Sequence, residues 1–336
     1  MWRTVPVLLI AALLSASCGS GAATSRLSRI RQRGFLVCGV FPGIAGFAQV
    51  DRQGHYTGFD IDICRAVAAA IVGSAARIRY QPVASIDLFQ QSDDIDIVSR
   101  RLTWSLRREG LHVLFGPVTF YDGQGFLVPA QMQVDHATGL AGAPVCVAEG
   151  SEHDVTLTAY FRRHQIALDK VRVADGAAGG RALAERRCQA FSADVSELAS
   201  VRSTMDNPRG FRLLADRISQ EPLAQLVREQ DVDLFNVLRW TVFAMIAAEE
   251  LGVTSANVSE MAAHDDPDIA RLLGVAPGNG AALGLDEAWA RHVIADVGNY
   301  GEVFERNLGM ATPIAMERGL NALWSRGGLL FAPPLK

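Results

Sequence analysis

The chain has 336 residues, 49% of them hydrophobic and 20% charged, enough for one or two domains around a sizeable core. Its net charge of -4, with no basic stripe to displace counterions from phosphates, excludes a nucleic-acid partner. Nearly all the basic residues are arginines, which reads as compositional bias and not as a patch.

The N-terminus carries export signals. Arg3 supplies a positive start, and Val5 to Leu14 is an apolar run of ten. That is too short for a bilayer, which needs ~20 apolar residues, and suits a signal-peptide core. Gly21-Ala22-Ala23 offers cleavage after Ala23, so residues 1–23 are expected to be removed, and losing Arg3 takes the charge from -4 to -5. Cys18 raises the alternative of a lipid anchor. That pattern wants a large aliphatic residue three places earlier, where Ser15 stands, with Leu14 one place too far. A periplasmic, unanchored mature chain is the expectation. No later segment reaches membrane-spanning length without charges.

From Gly34 the pattern alternates between strand and helix. Phe35 to Val40 is a short apolar strand, and Asp60 or Asp62 is placed to cap a helix through Ile71, with Ile63, Val67, Ala70 and Ile71 at helical spacing. Arg77 to Tyr80 and Ile95 to Val98 read as further strands. Pro144 to Ala148 opens a second series, running through Tyr160-Phe161 and Val171 to Val173 to Ala190-Phe191. Strands alternating with helices predict mainly parallel sheets with covered faces. After Glu221 the character turns helical. Leu234 to Leu251 reads as one long amphipathic helix, and shorter helical runs follow near Met261, Ile269, Trp289 and Leu323. Gly- and Pro-rich stretches at 276–284 and 327–334 punctuate this part. Such a tail must bury its apolar stripe, and packing back on the first α/β unit does so.

Removal of the leader leaves Cys38, Cys64, Cys146 and Cys188. An even count in an exported chain suggests bridges, with three connectivities open. Pairs 38–64 and 146–188 would each close within one α/β unit. Cys38, Cys146 and Cys188 are placed in strand-like runs and Cys64 in a helix. Four buried free thiols are the alternative. Neither CxxC spacing nor a nearby histidine suggests a metal.

Several segments together resemble the extracellular solute-binding proteins of family 3, most closely the general L-amino-acid-binding branch. Arg33-Gly34-Phe35-Leu36 with Cys38-Gly39-Val40 resembles its first strand, and Tyr56-Thr57-Gly58-Phe59-Asp60 with Cys64 to Ala68 its first helix. Thr103-Trp104-Ser105 with Arg108, then Phe115-Gly116-Pro117 and Tyr121 to Phe126, are similar to its ligand loop and first hinge. Glu221-Pro222-Leu223, Gly298 to Glu302, Phe304 to Asn307 and Ala332-Pro333-Pro334 resemble its C-terminal signature. The likeness implies a bilobal, type II periplasmic-binding-protein fold, a flytrap of two α/β lobes with mainly parallel sheets. Lobe 1 would hold residues 24–125 and 224–336, including the helical extension, and lobe 2 residues 126–220. The crossings would fall near 121–130 and 216–223.

A free amino acid carries a carboxylate and an ammonium on one carbon, so a selective site opposes a cation and an anion. An arginine fork grips the carboxylate with two parallel bonds. The resemblance implies that Arg108, five residues after Thr103, takes the carboxylate, with Thr103 assisting. It implies that Asp194, five residues after Gln189-Ala190, accepts from the ammonium, with helix capping the bland alternative. Ser151, after Gly150, stands where free helix N–H groups would meet the carboxylate from the other side. The departures are Arg101, where the branch usually has Asn, and Glu152, where it has Thr. Phe41-Pro42 and Ile44-Ala45 replace more polar pairs. These predict a more apolar side-chain pocket, or a longer ligand read at opposite ends by Arg101 and Glu152, or a lineage that has lost amino-acid binding.

The resemblance therefore implies the periplasmic binding component of an amino-acid ABC importer: a monomer without cofactor or metal, partnered by an inner-membrane permease, and not an enzyme. One rival is an exported dehydratase-like enzyme using Glu152 as general acid. Glu152-His153-Asp154 is the compact acid–base cluster available, but an exposed helix start explains it, and no Gly-x-Ser-x-Gly or His-Glu-x-x-His motif is present. The other rival is a sensor module of the same shape. Gly278 to Gly284 mimics a dinucleotide loop but follows Pro277 and reads as a linker. Asp60 and Asp62 mimic metal-ligand spacing but read as ordinary charge placement at a helix start.

Overall fold

In the computed structural model, which describes Trp2 and residues 24–336, each unit is wound around its own five-stranded sheet. Met1 and residues 3–23, with Cys18 and the expected cleavage site, lie outside the described residues. Helix α1 (Arg26–Arg33) starts at Ser25, whose hydroxyl accepts from the Ser28 amide, and stops at Gly34. Strand β1 (Leu36–Val40) is buried throughout, as its apolar run requires. A small hairpin of β2 (Gln49–Val50) and β3 (Tyr56–Thr57) leads into α2 (Phe59–Val72).

The start of α2 differs from expectation. Gly58, and not Asp60 or Asp62, holds the cap position, because its φ of 130° and a gap of 2.2 Å from a would-be Cβ to the Phe47 carbonyl oxygen admit only glycine. Both aspartates fall inside the first turn, with their side chains free for partners elsewhere. Next come β4 (Ile78–Pro82), α3 (Ile86–Gln91), β5 (Ile97–Thr103), α4 (Leu106–Glu109) and β6 (Val113–Asp122).

The chain then passes into the second sheet through β7 (Gln124–Pro129). There follow β8 (Pro144–Ala148), α5 (Glu152–Arg163), β9 (Asp169–Val173), α6 (Gly176–Ala184), β10 (Ala190–Asp194), α7 (Val195–Ser203) and β11 (Phe211–Leu213). Strand β12 (Glu221–Arg228) returns to the first sheet. The strand orders are β4-β1-β5-β12-β6 and β11-β7-β10-β8-β9. In each sheet four strands run one way and one opposes them, β12 in the first and β7 in the second. The opposing strand in each case is the one on which the chain arrives from the other sheet.

The helical extension runs through α8 (Val232–Glu250), α9 (Val258–Met261), α10 (Pro267–Leu272), α11 (Asn279–Leu283), α12 (Trp289–Val297) and α13 (Tyr300–Asn307). Its apolar stripes share one core with α1, α2 and β1, with Trp289, Tyr300 and Phe304 fully buried. Phe120 of β6 meets Phe47, Phe59 and Phe304 there, and the Tyr300 hydroxyl donates to the Thr119 carbonyl at 2.7 Å. Two expectations are corrected. The helix near Leu323 is a pair of 3₁₀ turns, Gly319–Asn321 and Trp324–Arg326, because Gly319 and Gly327 leave too short a span for an α-helix. The stretch read as a linker contains α11, whose opening amides at Gly278, Gly280 and Ala281 donate to the Glu287 carboxylate.

Cys38 bonds to Cys64 and Cys146 to Cys188, with Cα separations of 6.2 and 5.7 Å. Closing loops of 26 and 42 residues restricts the unfolded chain, a contribution of about 3–4 kcal/mol each. Cys188 sits in the turn after α6, two residues before β10, and not within a strand.

Candidate functional site

Strand β5 ends irregularly. Its pairing with β12 slips between Val98 and Leu102, and Arg101 takes a left-handed φ of 54°. Ser99, within the slip, is fully buried and donates to Asp60 Oδ1 at 3.1 Å. Burial pushes the Asp60 carboxyl up to about 6, against the pull of Ser99 and of the Arg101 and Arg100 charges. Arg100 donates to the Ala84 carbonyl at 2.7 Å and lies 4.9 Å over the Phe41 ring. Arg101 lies 5.3 Å over Phe47, its side chain 11% exposed. Arg100 Nε and Arg101 Nε are both buried without a hydrogen-bond partner.

Thr103 closes β5. Ser105 then caps α4 by accepting from the Arg108 amide at 3.4 Å, and Arg108 Nη1 donates back to the Thr103 carbonyl at 2.8 Å. The spacing of five therefore has a physical meaning: one short turn lets the strand's last carbonyl aim the guanidinium.

On the opposite lobe Asp194 ends β10. It occupies the cap position of α7 but makes no capping bond. Asp122 does that work, its Oδ1 accepting from the amides of Ser196 at 3.3 Å and Gly123 at 2.9 Å. Asp194 is thus free for other partners: Oδ1 lies 3.0 Å from His153 Nε2 and Oδ2 lies 3.7 Å from Arg101 Nη2 of the first sheet. Burial raises the Asp194 carboxyl, but the bond and charge of His153, followed by Arg101 and Arg108, outweigh it and hold it below the usual range. For His153, burial lowers the imidazole, yet the Asp194 bond and charge leave it above its ordinary value. Asp122 is pushed up to about 6 by burial and then by the charge of Asp194, and its Oδ2 is buried without a partner.

Ser151 caps α5, accepting from the Asp154 amide and donating to the Ala148 carbonyl at 2.7 Å. Glu152, the first residue of that helix, is exposed, while His153 beside it turns inward. Phe41 is 42% exposed beneath a guanidinium, so the wall expected to be apolar carries charge. A cavity of about 600 Å³ opens where β6 ends, lined by Tyr121, Asp122, Val195, Arg217 and Arg318 among others, and Arg108 and Asp194 do not line it.

Arg108, Thr103, Asp194 and Arg101 are thus brought to one place, with Ser151 at the adjoining helix start. Arg100, His153, Asp60 and Asp122 belong to the same constellation and were not singled out as ligand contacts from sequence. The only sequence signal for His153 was its place in Glu152-His153-Asp154. The arrangement opposes guanidinium groups on one lobe with an ionised acid on the other, at the carboxyl ends of the strands where α/β sheets hold ligands.

Residues 36–257 match the bacterial extracellular solute-binding proteins, family 3. The general L-amino acid-binding periplasmic protein AapJ of Rhizobium johnstonii is 41% identical over 331 residues, 97% of this chain and 97% of the relative. The glutamate/glutamine/aspartate/asparagine-binding protein BztA of Rhodobacter capsulatus is 40% identical, covering 96% of this chain and 97% of its own. A solved ABC transporter/periplasmic binding protein from Brucella ovis, with glutathione bound, is similar with a TM-score of 0.85 at 39% identity, over 93% of this chain and 99% of that one. From the fold, the cleft and these likenesses together, the chain belongs to family 3 of the bacterial extracellular solute-binding proteins.

Proposed function

We propose that this protein is the periplasmic binding component of an amino-acid ABC importer, capturing its solute without covalent chemistry and presenting it, as a monomer, to an inner-membrane permease. The observation that carries the reading is the opposition of Arg108, held by the Thr103 carbonyl, to an Asp194 carboxylate kept ionised on the other lobe. The ligand's carboxylate takes the free N–H groups of Arg108, and its ammonium takes Asp194. Ser151 and the first amides of α5 close on the carboxylate from the far side. Each such charged bond is worth ~1.5–3 kcal/mol net, so three or four reach micromolar affinity, about -8 kcal/mol.

Residues 24–125 with 224–336 move as one lobe and 126–220 as the other, flexing where the chain crosses near 121–130 and 216–223. The full-length relatives named for amino acids support the solute class. An enzymatic reading loses support because Glu152, the acid it needs, is exposed and not held in a pocket. Calorimetry of the mature protein against the twenty amino acids, repeated with Arg108→Ala, tests the proposal. Wild-type binding to at least one amino acid and a loss of ~2–5 kcal/mol in the variant are expected, because the ligand's charge is left unpaired in a dry cleft. Equal affinities in the two proteins refute it.

A further inference from the structure

Asp194 has a partner of its own in His153. Its Oδ1 lies 3.0 Å from the ring Nε2, and both side chains are largely buried. Its Oδ2 lies 3.7 Å from Arg101 Nη2, beyond hydrogen-bonding reach. The backbone places the ring as firmly as the carboxylate does. In the β7–β10 pair Asp194 stands opposite Gln124. Gln124 Nε2 in turn donates to the His153 carbonyl at 3.0 Å and to Ser192 Oγ at 2.9 Å. One strand pair therefore fixes the acid and the imidazole together.

The surroundings make the charge on that ring conditional. His153 is the second residue of α5, in the first turn, where unpaired helix amides disfavour a cation. Burial disfavours it as well. Against both stand the bond and charge of Asp194, followed by the charges of Glu197 on α7 and Glu221 on β12. On its own helix Glu152 is exposed, and Asp154 is paired with Lys170 and Arg172. On the far side of Asp194, Arg101 and Arg108 add positive charge, with Asp60 answering Arg101, while Asp122 adds negative charge. One carboxylate is thus the main reason that the imidazole keeps a proton.

On the reading that Asp194 accepts the solute's ammonium, we propose that His153 makes capture proton-linked: imidazolium and ammonium draw on the same carboxylate, and binding of the second expels a proton from the first. The Nδ1–H bond breaks, its electron pair stays on the nitrogen, and the proton passes to the buffer. The neutral ring still donates to Asp194 through Nε2, so the carboxylate keeps its orientation. By reciprocity, a solute that drives off the proton is itself weakened by the proton. His153 is a positioning residue when neutral and a competitor when charged. Affinity is full on the alkaline side of its titration and falls on the acid side.

The test is calorimetry on the mature protein with the twenty L-amino acids as probes, continued with the tightest binder that does not itself titrate near neutrality. At about pH 6.5, heats in phosphate and in bis-tris should differ by the equivalent of about half a proton or more released per solute, and affinity should be about three-fold or more higher at about pH 8 than at about pH 6. By NMR, the His153 ring should titrate at lower pH in the complex than in the free protein. His153→Gln keeps a donor toward Asp194 but cannot titrate, and it is expected to flatten the pH profile of binding. Asp122 also feels the Asp194 charge, so proton release that survives in His153→Gln assigns the linkage to Asp122 and overturns the role of His153. Heats that do not depend on the buffer, or a His153 titration that the solute leaves unchanged, overturn it in wild type with no variant needed, and leave amino-acid capture standing. Failure of every amino acid to bind overturns the capture reading and the linkage together.

Discussion

Asp194 shows how one side chain is prepared for a charge it has yet to meet. Its carboxylate is largely buried, which alone would favour the neutral acid, and His153, Arg101 and Arg108 reverse that preference. Asp194→Asn keeps the shape and removes the charge. Ligand binding is expected to fall by about 30-fold to several thousand-fold, the range for losing one partner of a desolvated charge pair, and calorimetry reads it directly. The same variant has a second signature. The His153 imidazole stands above its ordinary value because the Asp194 bond and charge, with smaller contributions from the Glu197 and Glu221 charges, outweigh burial. NMR titration should therefore show the His153 imidazole titrating at lower pH in Asp194→Asn than in wild type, because burial loses its largest counterweight. An unchanged titration would refute the pairing. Arg108, Thr103 and Asp194 could be named from the sequence through the family resemblance alone; the short turn that aims Arg108 and the strand end that carries Asp194 come from the fold. His153 and Asp60 could not be, since their partners lie 41 and 39 residues away and only the fold brings them together.

At the scale of elements, the strand at Pro144–Ala148 and the long helix over 232–250 could be read closely because their apolar patterns are uninterrupted. What could not be read depends on distant partners. The irregularity in β5 exists only against β12, which enters the sheet more than a hundred residues later. The short helix α11 is anchored by Glu287, an acid from outside its own run. The start of α2 was misassigned because two aspartates are ordinary caps, whereas the deciding contact is between the backbones of Gly58 and Phe47. Gly58→Ala puts a methyl group 2.2 Å from the Phe47 carbonyl oxygen at a φ of 130°. Neither atom is the end of a flexible side chain, so the backbone must move. A loss of about 2–4 kcal/mol is expected, in line with other strained-backbone substitutions. A thermal melt within a degree of wild type would show that the α2 start yields freely.

For the whole molecule, the buried acids at the meeting of the lobes make stability depend on pH in a direction opposite to the common one. Asp60 and Asp122 are both pushed up to about 6 from an ordinary 3.8, and His153 is raised as well. Between about pH 4 and 7 the native protein therefore holds protons that the unfolded chain releases. Stability must fall as pH rises through that window and recover as pH falls. Asp194, held low, works the other way, but its contribution is lost only below the ordinary carboxylate range. For Asp60 alone, a rise of about two pKa units corresponds to roughly 3 kcal/mol between the ends of the window. Melts of the ligand-free protein are expected to give a higher Tm at pH 5 than at pH 8. Asp60→Asn can still accept from Ser99 but cannot ionise, and it should flatten the profile by raising Tm at pH 8 more than at pH 5. Loss of net negative charge on acidification also favours the folded state, and the variant separates the two causes because it changes that charge by one unit only. A wild-type Tm that rises from pH 5 to pH 8, or a variant profile parallel to wild type, would mean that burial does not hold a proton on the Asp60 carboxyl.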